Sequence, residues 1–248
     1  MLTIARRFNG PAHSGNGGYV AGVLAQRFLE EFGTTPGAKV EVTLRKPPPL
    51  EKPLTLRQPA ETEILRLLDG TTVIAEAELV EAAGDLVEPV SPDEAVTAAK
   101  NYPGFSATPF PTCFVCGPEH PTGLHIFPGP VPGRRGVVAA PWTPAPDTVG
   151  PEFVWAALDC PGGWSAGDLQ GRPIVLGRMS VEVLDEDATL IPGEPHVVLG
   201  RLLRTDGRKT FTASTLYSPS GKPVASAEAV WIAVDPAKVR PDGADVTD

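Results

Sequence analysis

The chain has 248 residues, of which 42% are hydrophobic, and a formal net charge of −9 at neutral pH. This length and composition are typical of a globular protein with a large core, arranged as one long or two short domains. The acidic charge argues against a nucleic-acid partner, because phosphates require a basic surface. No apolar run reaches the roughly 18 residues of a membrane helix, and the amino terminus lacks the layout of a signal peptide. We therefore expect a cytoplasmic protein with no membrane partner.

A glycine turn opens an apolar helix in the first part of the chain. Gly17 and Gly18 lead into residues 19–29, whose apolar side chains recur at helical spacing. Apolar and polar residues then alternate over 40–45, as they do in a half-buried strand. An Asp-Gly dipeptide tolerates the positive φ of a tight hairpin. Further strands are predicted at 54–67 and 73–81, with Asp69-Gly70 as the turn between them.

The same order of elements recurs in the second part of the chain. An apolar helix begins at 153–159, and strands and turn signals follow it. The distance from the helix start to an Asp-Gly turn is about the same in both parts, which indicates a duplicated unit. The predicted strands are 174–183, 197–203, 209–217 and 223–234, and the predicted turns are Asp206-Gly207 and Ser220-Gly221.

One central helix followed by antiparallel strands predicts an α+β arrangement, in which each half is an antiparallel sheet wrapped around its helix. Residues 1–82 form the first predicted half and residues 113–236 the second. The proline-rich stretch 83–112 shows little periodicity and is predicted to be a linker. Residues 237–248 form a tail.

Three short motifs resemble those of a known family. Asn16-Gly17-Gly18-Tyr19-Val20-Ala21-Gly22 resembles the opening of the central helix in hotdog-fold thioesterases. Cys113-Phe114-Val115-Cys116-Gly117 with Gly123-Leu124 resembles the start of many phenylacetate-pathway-like members. Ala157-Leu158-Asp159 is similar to the helix position at which many of these enzymes carry a carboxylate. The resemblance covers most of both halves.

The resemblance implies a tandem (double) hotdog in the style of bacterial acyl-CoA thioesterase II, with the substrate between the two halves. It implies an acyl-CoA or acyl carrier protein thioester as the partner, no cofactor, and compatibility with a homo-oligomer. In that family, backbone N–H groups at a helix start polarise the thioester carbonyl. A carboxylate from the neighbouring unit is the base or nucleophile.

We predict one composite site per chain, with Asp159 as its catalytic group. Burial in an apolar helix raises the pKa of a carboxyl group, as a general base requires. Gly17 and Gly18 can bring bare N–H groups close to a carbonyl oxygen. The mirror position would carry Gln26 and Pro151, which has no N–H, and is predicted to be inactive.

Other readings of these residues stay open. Asp159 could instead cap the next turn or pair with an arginine, because Cys160-Pro161-Gly162-Gly163 is expected to break the helix. Asn16 is predicted to be a helix N-cap or turn residue at the pocket rim. Tyr19 either lines the pocket or packs in the core. His13 is predicted to be a loop residue, and Glu228 an exposed strand residue.

A structural zinc site is a further alternative. Cys113, Cys116, His120 and His125 lie close together in sequence, and zinc prefers thiolate and imidazole ligands. The surrounding prolines and the short spacing argue against a finger, so we expect no metal. Cys160 is predicted to be a small buried hydrophobic residue.

Two other functions compete with thioester hydrolysis. A hydratase or dehydratase on the same fold would need an aspartate and a histidine together in a short segment, and the sequence has no such segment. A non-catalytic acyl-binding protein would retain the pocket without the chemistry. Loss of activity in Asp159→Asn separates this alternative from an enzyme.

Overall fold

The computed structural model describes residues 1–33, 38–81, 84–167, 172–184 and 190–238. In the first part of the chain, a short strand precedes a long helix and four strands follow it. The stretch predicted as one strand region at 54–67 contains two strands separated by a loop. These elements are β1 (Leu2–Thr3), α1 (Gly17–Phe32), β2 (Lys39–Leu44), β3 (Pro53–Arg57), β4 (Leu65–Asp69) and β5 (Thr72–Val80).

The second part contains another long helix followed by four strands, as predicted. Two of these strands have the predicted bounds, and the other two differ from them by one to three residues at an end. None of the helices in the described ranges is both long and apolar enough to span a membrane. The elements are α2 (Pro92–Ala99), β6 (Gly129–Pro130), β7 (Val137–Trp142), α3 (Pro151–Ser165), β8 (Ile174–Val183), β9 (His196–Asp206), β10 (Lys209–Tyr217) and β11 (Pro223–Ala233).

The strands of the described residues form one 11-stranded sheet with the order β1-β3-β4-β5-β2-β8-β11-β10-β9-β7-β6. The first strands after the two long helices, β2 and β8, pair antiparallel in the middle. Read outward from this pair, β2-β5-β4-β3-β1 has the same connectivity as β8-β11-β10-β9-β7. The topology of the first part is therefore repeated in the second.

The predicted turns are confirmed, but their expected correspondence was wrong. Gly70, Gly207 and Gly221 all have positive φ, at 58°, 57° and 79°. Asp69-Gly70 joins β4 to β5, whereas Asp206-Gly207 joins β9 to β10. In the repeated topology the turn equivalent to Asp69-Gly70 is Ser220-Gly221. Connecting loops of different lengths made the spacing to the two Asp-Gly turns coincide.

The predicted linker contains a helix. Ser91 and Glu94 form a capping box at the start of α2, in which Ser91 Oγ accepts the Glu94 N–H and Glu94 Oε2 accepts the Ser91 N–H. Ala95 and Ala98 on α2 are buried in a second core against β7 and β9. The stretch predicted to be a linker therefore also contributes a helix to the folded structure. The predicted boundary at 82–83 and residues 239–248 of the predicted tail lie outside the described residues.

The two long helices pack against each other on one face of the sheet. Gly18 and Gly22 of α1 lie at the contact with α3, and a Cβ added at Gly22 would lie 2.8 Å from Glu152 Cα. Glycine therefore lets the two helix backbones approach closely. Alternating residues of β9 face opposite cores, with Val198 on the side of α3 and Leu199 on the side of α2.

The helix α3 continues through Pro161 to Ser165, so the expected break at residues 160–163 was wrong. Tight packing against the sheet holds this segment in place. A Cβ added at Gly200 of β9 would lie 2.0 Å from Pro161 O, and one added at Gly163 would lie 2.9 Å from the Trp231 ring. Burial of this helix end offsets the roughly 3 kcal/mol that a proline costs in a helix interior.

Candidate active site

The start of α1 and the middle of α3 meet at Asp159. The Gly18 N–H donates to Asp159 Oδ2 over 3.1 Å, and Asn16 Nδ2 donates to the same oxygen over 2.8 Å. The Asp159 side chain is buried, with 2% of the residue exposed. The structure thus brings Asn16 and Gly18 from the first part of the chain to Asp159 from the second.

Asn16 is the N-cap of α1, as predicted. Its Oδ1 accepts the Tyr19 N–H over 2.8 Å, which satisfies one of the free N–H groups at the helix start. Its Nδ2 also lies 3.8 Å from Cys113 Sγ, in addition to its bond to Asp159. The amide orientation is therefore fixed, because the oxygen faces a donor and the nitrogen faces two acceptors.

The environment of Asp159 makes its carboxylate a stronger base than that of an exposed aspartate. Burial raises the pKa of Asp159 to about 7, and the neighbouring Cys113 adds to this rise. The hydrogen bonds from the Gly18 N–H and from Asn16 have the opposite effect and lower the pKa. Asp159 Oδ1 is buried and has no hydrogen-bond partner among the described residues. One carboxylate oxygen is thus anchored by two donors, and the other is available to accept a proton.

The two glycines at the start of α1 differ in what their N–H groups bind. The Gly18 N–H is engaged by Asp159, and a Cβ at Gly18 would lie 2.4 Å from Asp159 Cβ, so this contact requires glycine. The Gly17 N–H has no acceptor among the described residues, and Gly17 is partly exposed. Of the two predicted donors, Gly17 is therefore the one available to a carbonyl oxygen, at the positive end of the helix dipole.

The start of α3 and the facing part of α1 carry different functional groups from the start of α1 and the facing part of α3. Pro151 is the first residue of α3 and supplies no N–H. Counted from the helix starts, Asp159 is the ninth residue of α3 and Ala25 the ninth of α1, one position before the expected Gln26. Neither Ala25 nor Gln26 is a carboxylic acid. The start of α3 therefore lacks an N–H group on its first residue, and the equivalent positions of α1 lack a carboxylic acid.

Tyr19 belongs to an aromatic cluster beside the glycine turn. Its ring stacks on Phe8 with centroids 3.9 Å apart and lies 6.1 Å from Phe114 and 5.7 Å from Phe153. Burial, together with the charge of Glu152, raises the pKa of Tyr19 to about 12, so the phenol stays protonated. Packing thus accounts for its position, and a pocket-lining role stays a prediction.

His13 and Glu228 were also considered from the sequence, and the structure gives each a different setting. His13 is on the exposed side of the loop before α1, as expected for a loop residue. Glu228 on β11 is 40% exposed and accepts a hydrogen bond from Lys39 Nζ over 2.8 Å. The partial exposure and the ion pair agree with a structural strand residue.

The alternative zinc site, which grouped the cysteines with His120 and His125, does not form in this arrangement. His120 Nε2 lies 2.8 Å from Arg7 O, its Nδ1 accepts the Thr122 N–H, and His125 Nε2 bonds His120 O over 2.7 Å. These backbone contacts engage both ring nitrogens of His120 and the Nε2 of His125. Within the described ranges, the group of side chains that could share a metal ion is instead Cys113, Cys116 and Cys160.

Cys160 was therefore missed as a neighbour of the Cys113-x2-Cys116 turn. Its Sγ lies 3.9 Å from Cys113 Sγ, and all three thiols are buried. Hydrogen bonds from Cys116 and Cys160 hold the pKa of the Cys113 thiol well below its ordinary value. The sequence does place Cys160 directly after Asp159, which indicates that the two residues lie near the same site.

Comparison with known protein families and with characterised proteins finds no match in sequence. Solved structures do resemble the chain over nearly its whole length. A conserved protein of unknown function with a hot dog fold, from Alicyclobacillus acidocaldarius, superposes with a TM-score of 0.61 at 11% identity, covering 93% of this chain and 90% of that one. The chain has a hotdog fold.

Proteins with different activities share this hotdog fold. The acyl-CoA thioesterase II TesB2 from Mycobacterium marinum has a TM-score of 0.57 at 11% identity, covering 90% of this chain and 93% of that one. The dehydratase domain of PpsC from Mycobacterium tuberculosis, solved in complex with C12:1-CoA, has a TM-score of 0.57 at 15% identity, covering 91% and 87%. The predicted α+β hotdog class is confirmed, and the activity has to be argued from the site.

Proposed function

We propose that the chain hydrolyses an acyl thioester, with Asp159 as base or nucleophile. Of the two backbone N–H groups expected at Gly17-Gly18 to polarise the carbonyl, the Gly17 N–H is the one that does so, because the Gly18 N–H binds Asp159. The observation that carries the proposal is the meeting of a helix start from one part of the chain with a buried carboxylate from the other. An electropositive helix start stabilises a developing oxyanion, and a carboxylate beside it can activate water.

The base form of the reaction uses the unpartnered carboxylate oxygen. Asp159 Oδ1 takes a proton from water while the water oxygen attacks the thioester carbonyl carbon. The carbonyl electron pair moves onto its oxygen, where the Gly17 N–H donates to the oxyanion. When the carbonyl re-forms, the carbon–sulfur bond breaks and the thiolate leaves. The proton on Asp159 passes to the sulfur, and the products are a carboxylic acid and a free thiol.

The hydrogen-bond donors near Asp159 have two different roles. The Gly18 N–H and Asn16 Nδ2 both bind Oδ2, so they hold the carboxylate plane and leave Oδ1 for water. Asn16 is a positioning residue in this scheme. The remaining donor for the thioester oxygen is the Gly17 N–H, whose partial exposure gives a substrate access to it.

The proposed substrate is an acyl-CoA rather than an acyl carrier protein thioester. The structural neighbours support this choice, because one is an acyl-CoA thioesterase II and another was solved with C12:1-CoA. We also propose that residues 1–82 and 113–236 are the two halves of a tandem hotdog joined by 83–112. The repeated strand order supports this division.

Thiol release from a panel of short, medium, long and aromatic acyl-CoAs tests the function. The wild type should release thiol from at least one of them, and Asp159→Asn should lose about two orders of magnitude in kcat/KM, as expected for a removed general base. The matched control is Glu152→Gln, the same change on the same helix beside Gly22 rather than Gly18. This control should stay within about threefold of wild type, because Glu152 is partly exposed and carboxylate changes away from a site have small effects.

A non-catalytic acyl-binding protein is the second candidate function. The observation that favours it is that Asp159 Oδ2 already occupies the Gly18 N–H, one of the two expected carbonyl donors. If both wild type and Asp159→Asn bind acyl-CoA by calorimetry and neither releases thiol, hydrolysis is ruled out in favour of binding. The dehydratase alternative gains no support from His120, His125 and His196, because these three histidines bond backbone carbonyl oxygens.

A further inference from the structure

We propose that Cys113, Cys116 and Cys160 form a binding site for a thiophilic divalent metal ion, with Zn²⁺ as its natural occupant. Their three Sγ atoms lie within 4.8 Å of one another, and the thiols are buried and not in disulfides. A tetrahedral Zn²⁺ with Zn–S bonds of about 2.3 Å separates its sulfur ligands by about 3.8 Å. The Cys113–Cys160 separation of 3.9 Å already matches this spacing.

The backbone turn at Cys113 holds the first two thiols on one side. The Gly117 N–H donates to Cys113 O over 2.8 Å, which closes the turn directly after Cys116. A Cβ added at Gly117 would lie 2.3 Å from Cys113 N, so only glycine allows this tight curl. Two cysteines separated by two residues are the chelating unit of many structural zinc sites. Cys160 adds a third ligand from α3.

Side-chain donors face two of the three sulfur atoms. Trp164 Nε1 donates to Cys116 Sγ over 3.4 Å, and Asn16 Nδ2 lies 3.8 Å from Cys113 Sγ. Donors of this kind stabilise thiolates and orient them toward a metal ion. A cluster of thiols that served only as apolar filling would not require them.

The reaction of the site with the ion balances as the uptake of one Zn²⁺ and the release of three thiol protons to solvent. The resulting three-thiolate complex carries one negative charge, and a water molecule completes the tetrahedron. The histidines do not complete it, because His120 and His125 bond backbone carbonyl oxygens. The ion would tie the turn at Cys113 to α3, directly beside Asp159. This inference does not depend on thioester hydrolysis.

Metal analysis of the wild-type chain is the first test. Protein expressed with added Zn²⁺ and passed through gel filtration should carry about one Zn²⁺ per chain by mass spectrometry of the metal. Replacement of Zn²⁺ by Co²⁺ should give the sulfur-to-cobalt charge-transfer bands of a thiolate-rich tetrahedral site. Zn²⁺ should also raise the melting temperature of chelator-treated protein. The proposal is overturned if the chain binds no metal while all three thiols can be titrated. It is also overturned if two of the thiols are found in a disulfide.

Two variants locate the site. Cys160→Ser should lower the affinity for Zn²⁺ by more than about tenfold, because it removes a direct ligand. His125→Gln is the matched control and should bind one Zn²⁺ with wild-type affinity. The reverse result, with metal lost in His125→Gln and kept in Cys160→Ser, overturns the proposal. If Cys160→Ser does not fold, the Co²⁺ spectrum of the wild type still decides, because the absence of thiolate bands contradicts the site.

Discussion

Asn16 and Asp159 are joined by a hydrogen bond of 2.8 Å that links the start of α1 to the middle of α3. The same Asn16 amide caps α1 through its oxygen. One side chain therefore couples the capping of a helix in the first part of the chain to the orientation of a carboxylate in the second. This coupling can be separated by substitution, because capping needs an acceptor whereas the bond to Asp159 needs a donor with longer reach.

Asn16→Ser and Asn16→Ala test this separation. Serine keeps an N-cap acceptor and alanine does not, so we expect Asn16→Ala to be less stable than Asn16→Ser by about 1 kcal/mol. Both variants lose the amide donor to Asp159, so both should lose thioesterase activity to a similar extent. Urea unfolding and thiol release measure the two effects. Equal stabilities would contradict the capping role, and wild-type turnover in either variant would contradict the positioning role.

Gly18→Ala should disturb Asp159 directly. The added Cβ would lie 2.4 Å from Asp159 Cβ and 2.8 Å from Trp155 O, so the helices or the carboxylate must move. We expect a destabilisation of about 1–3 kcal/mol, typical of overpacking, together with a large loss of thiol release.

Gly22→Ala is the control for Gly18→Ala. Its Cβ would lie 2.8 Å from both Glu152 Cα and Trp155 Cβ, at the same helix contact but away from Asp159. We expect a similar loss of stability with more of the activity retained. Thermal unfolding and kcat/KM at a temperature where both variants are folded give the comparison. Equal losses of activity would show that Gly18 acts only through helix packing.

The parts of the fold that follow local rules could be predicted from the sequence. The turn glycines Gly70, Gly207 and Gly221 adopt positive φ, and the helix start at Gly17 follows its N-cap Asn16. The helix α2 also had a local signal, because the capping box from Ser91 to Glu94 precedes it. The surrounding prolines obscure this signal, because proline is also typical of loops.

Other features depend on tertiary contacts and could not be predicted. Pro161 stays inside α3 because β9 packs against it, which overrides the local preference for a break. Cys160 joins the turn at Cys113 across a long stretch of chain, whereas His120, which is close in sequence, bonds the backbone of Arg7 instead. The neighbours of Asp159 within the site were predictable because the two helix starts were recognised as related.

Ser91→Ala tests the helix found in the predicted linker. Ser91 Oγ accepts the Glu94 N–H, so its removal should destabilise the protein by about 1 kcal/mol in urea unfolding. Ser106→Ala is the same change at an exposed position after α2 and should lie within about 0.5 kcal/mol of wild type. Equal stabilities of the two variants would mean that the Ser91 cap contributes nothing to the folded state.

The ion pair between Lys39 and Glu228 connects a strand of the first part of the sheet to a strand of the second part. Lys39 is on β2 and Glu228 is on β11, on either side of β8, and their side chains are 2% and 40% exposed. Removing the glutamate leaves a buried ammonium group without its partner. Removing the lysine leaves a carboxylate that water can still reach. The two sides of the pair therefore differ in what their loss costs.

Glu228→Ala should accordingly destabilise the protein more than Lys39→Met. We expect about 1–3 kcal/mol for Glu228→Ala, the cost of leaving a buried donor unsatisfied, and a smaller loss for Lys39→Met, whose apolar side chain fits a buried position. Glu30→Ala breaks an ion pair with Arg27 in which both side chains are about half exposed, and should change stability by less than about 1 kcal/mol. Urea unfolding of the three variants gives the order. A larger loss for Lys39→Met than for Glu228→Ala would mean that the packing of the lysine stem, rather than its charge, holds β2 and β11 across β8.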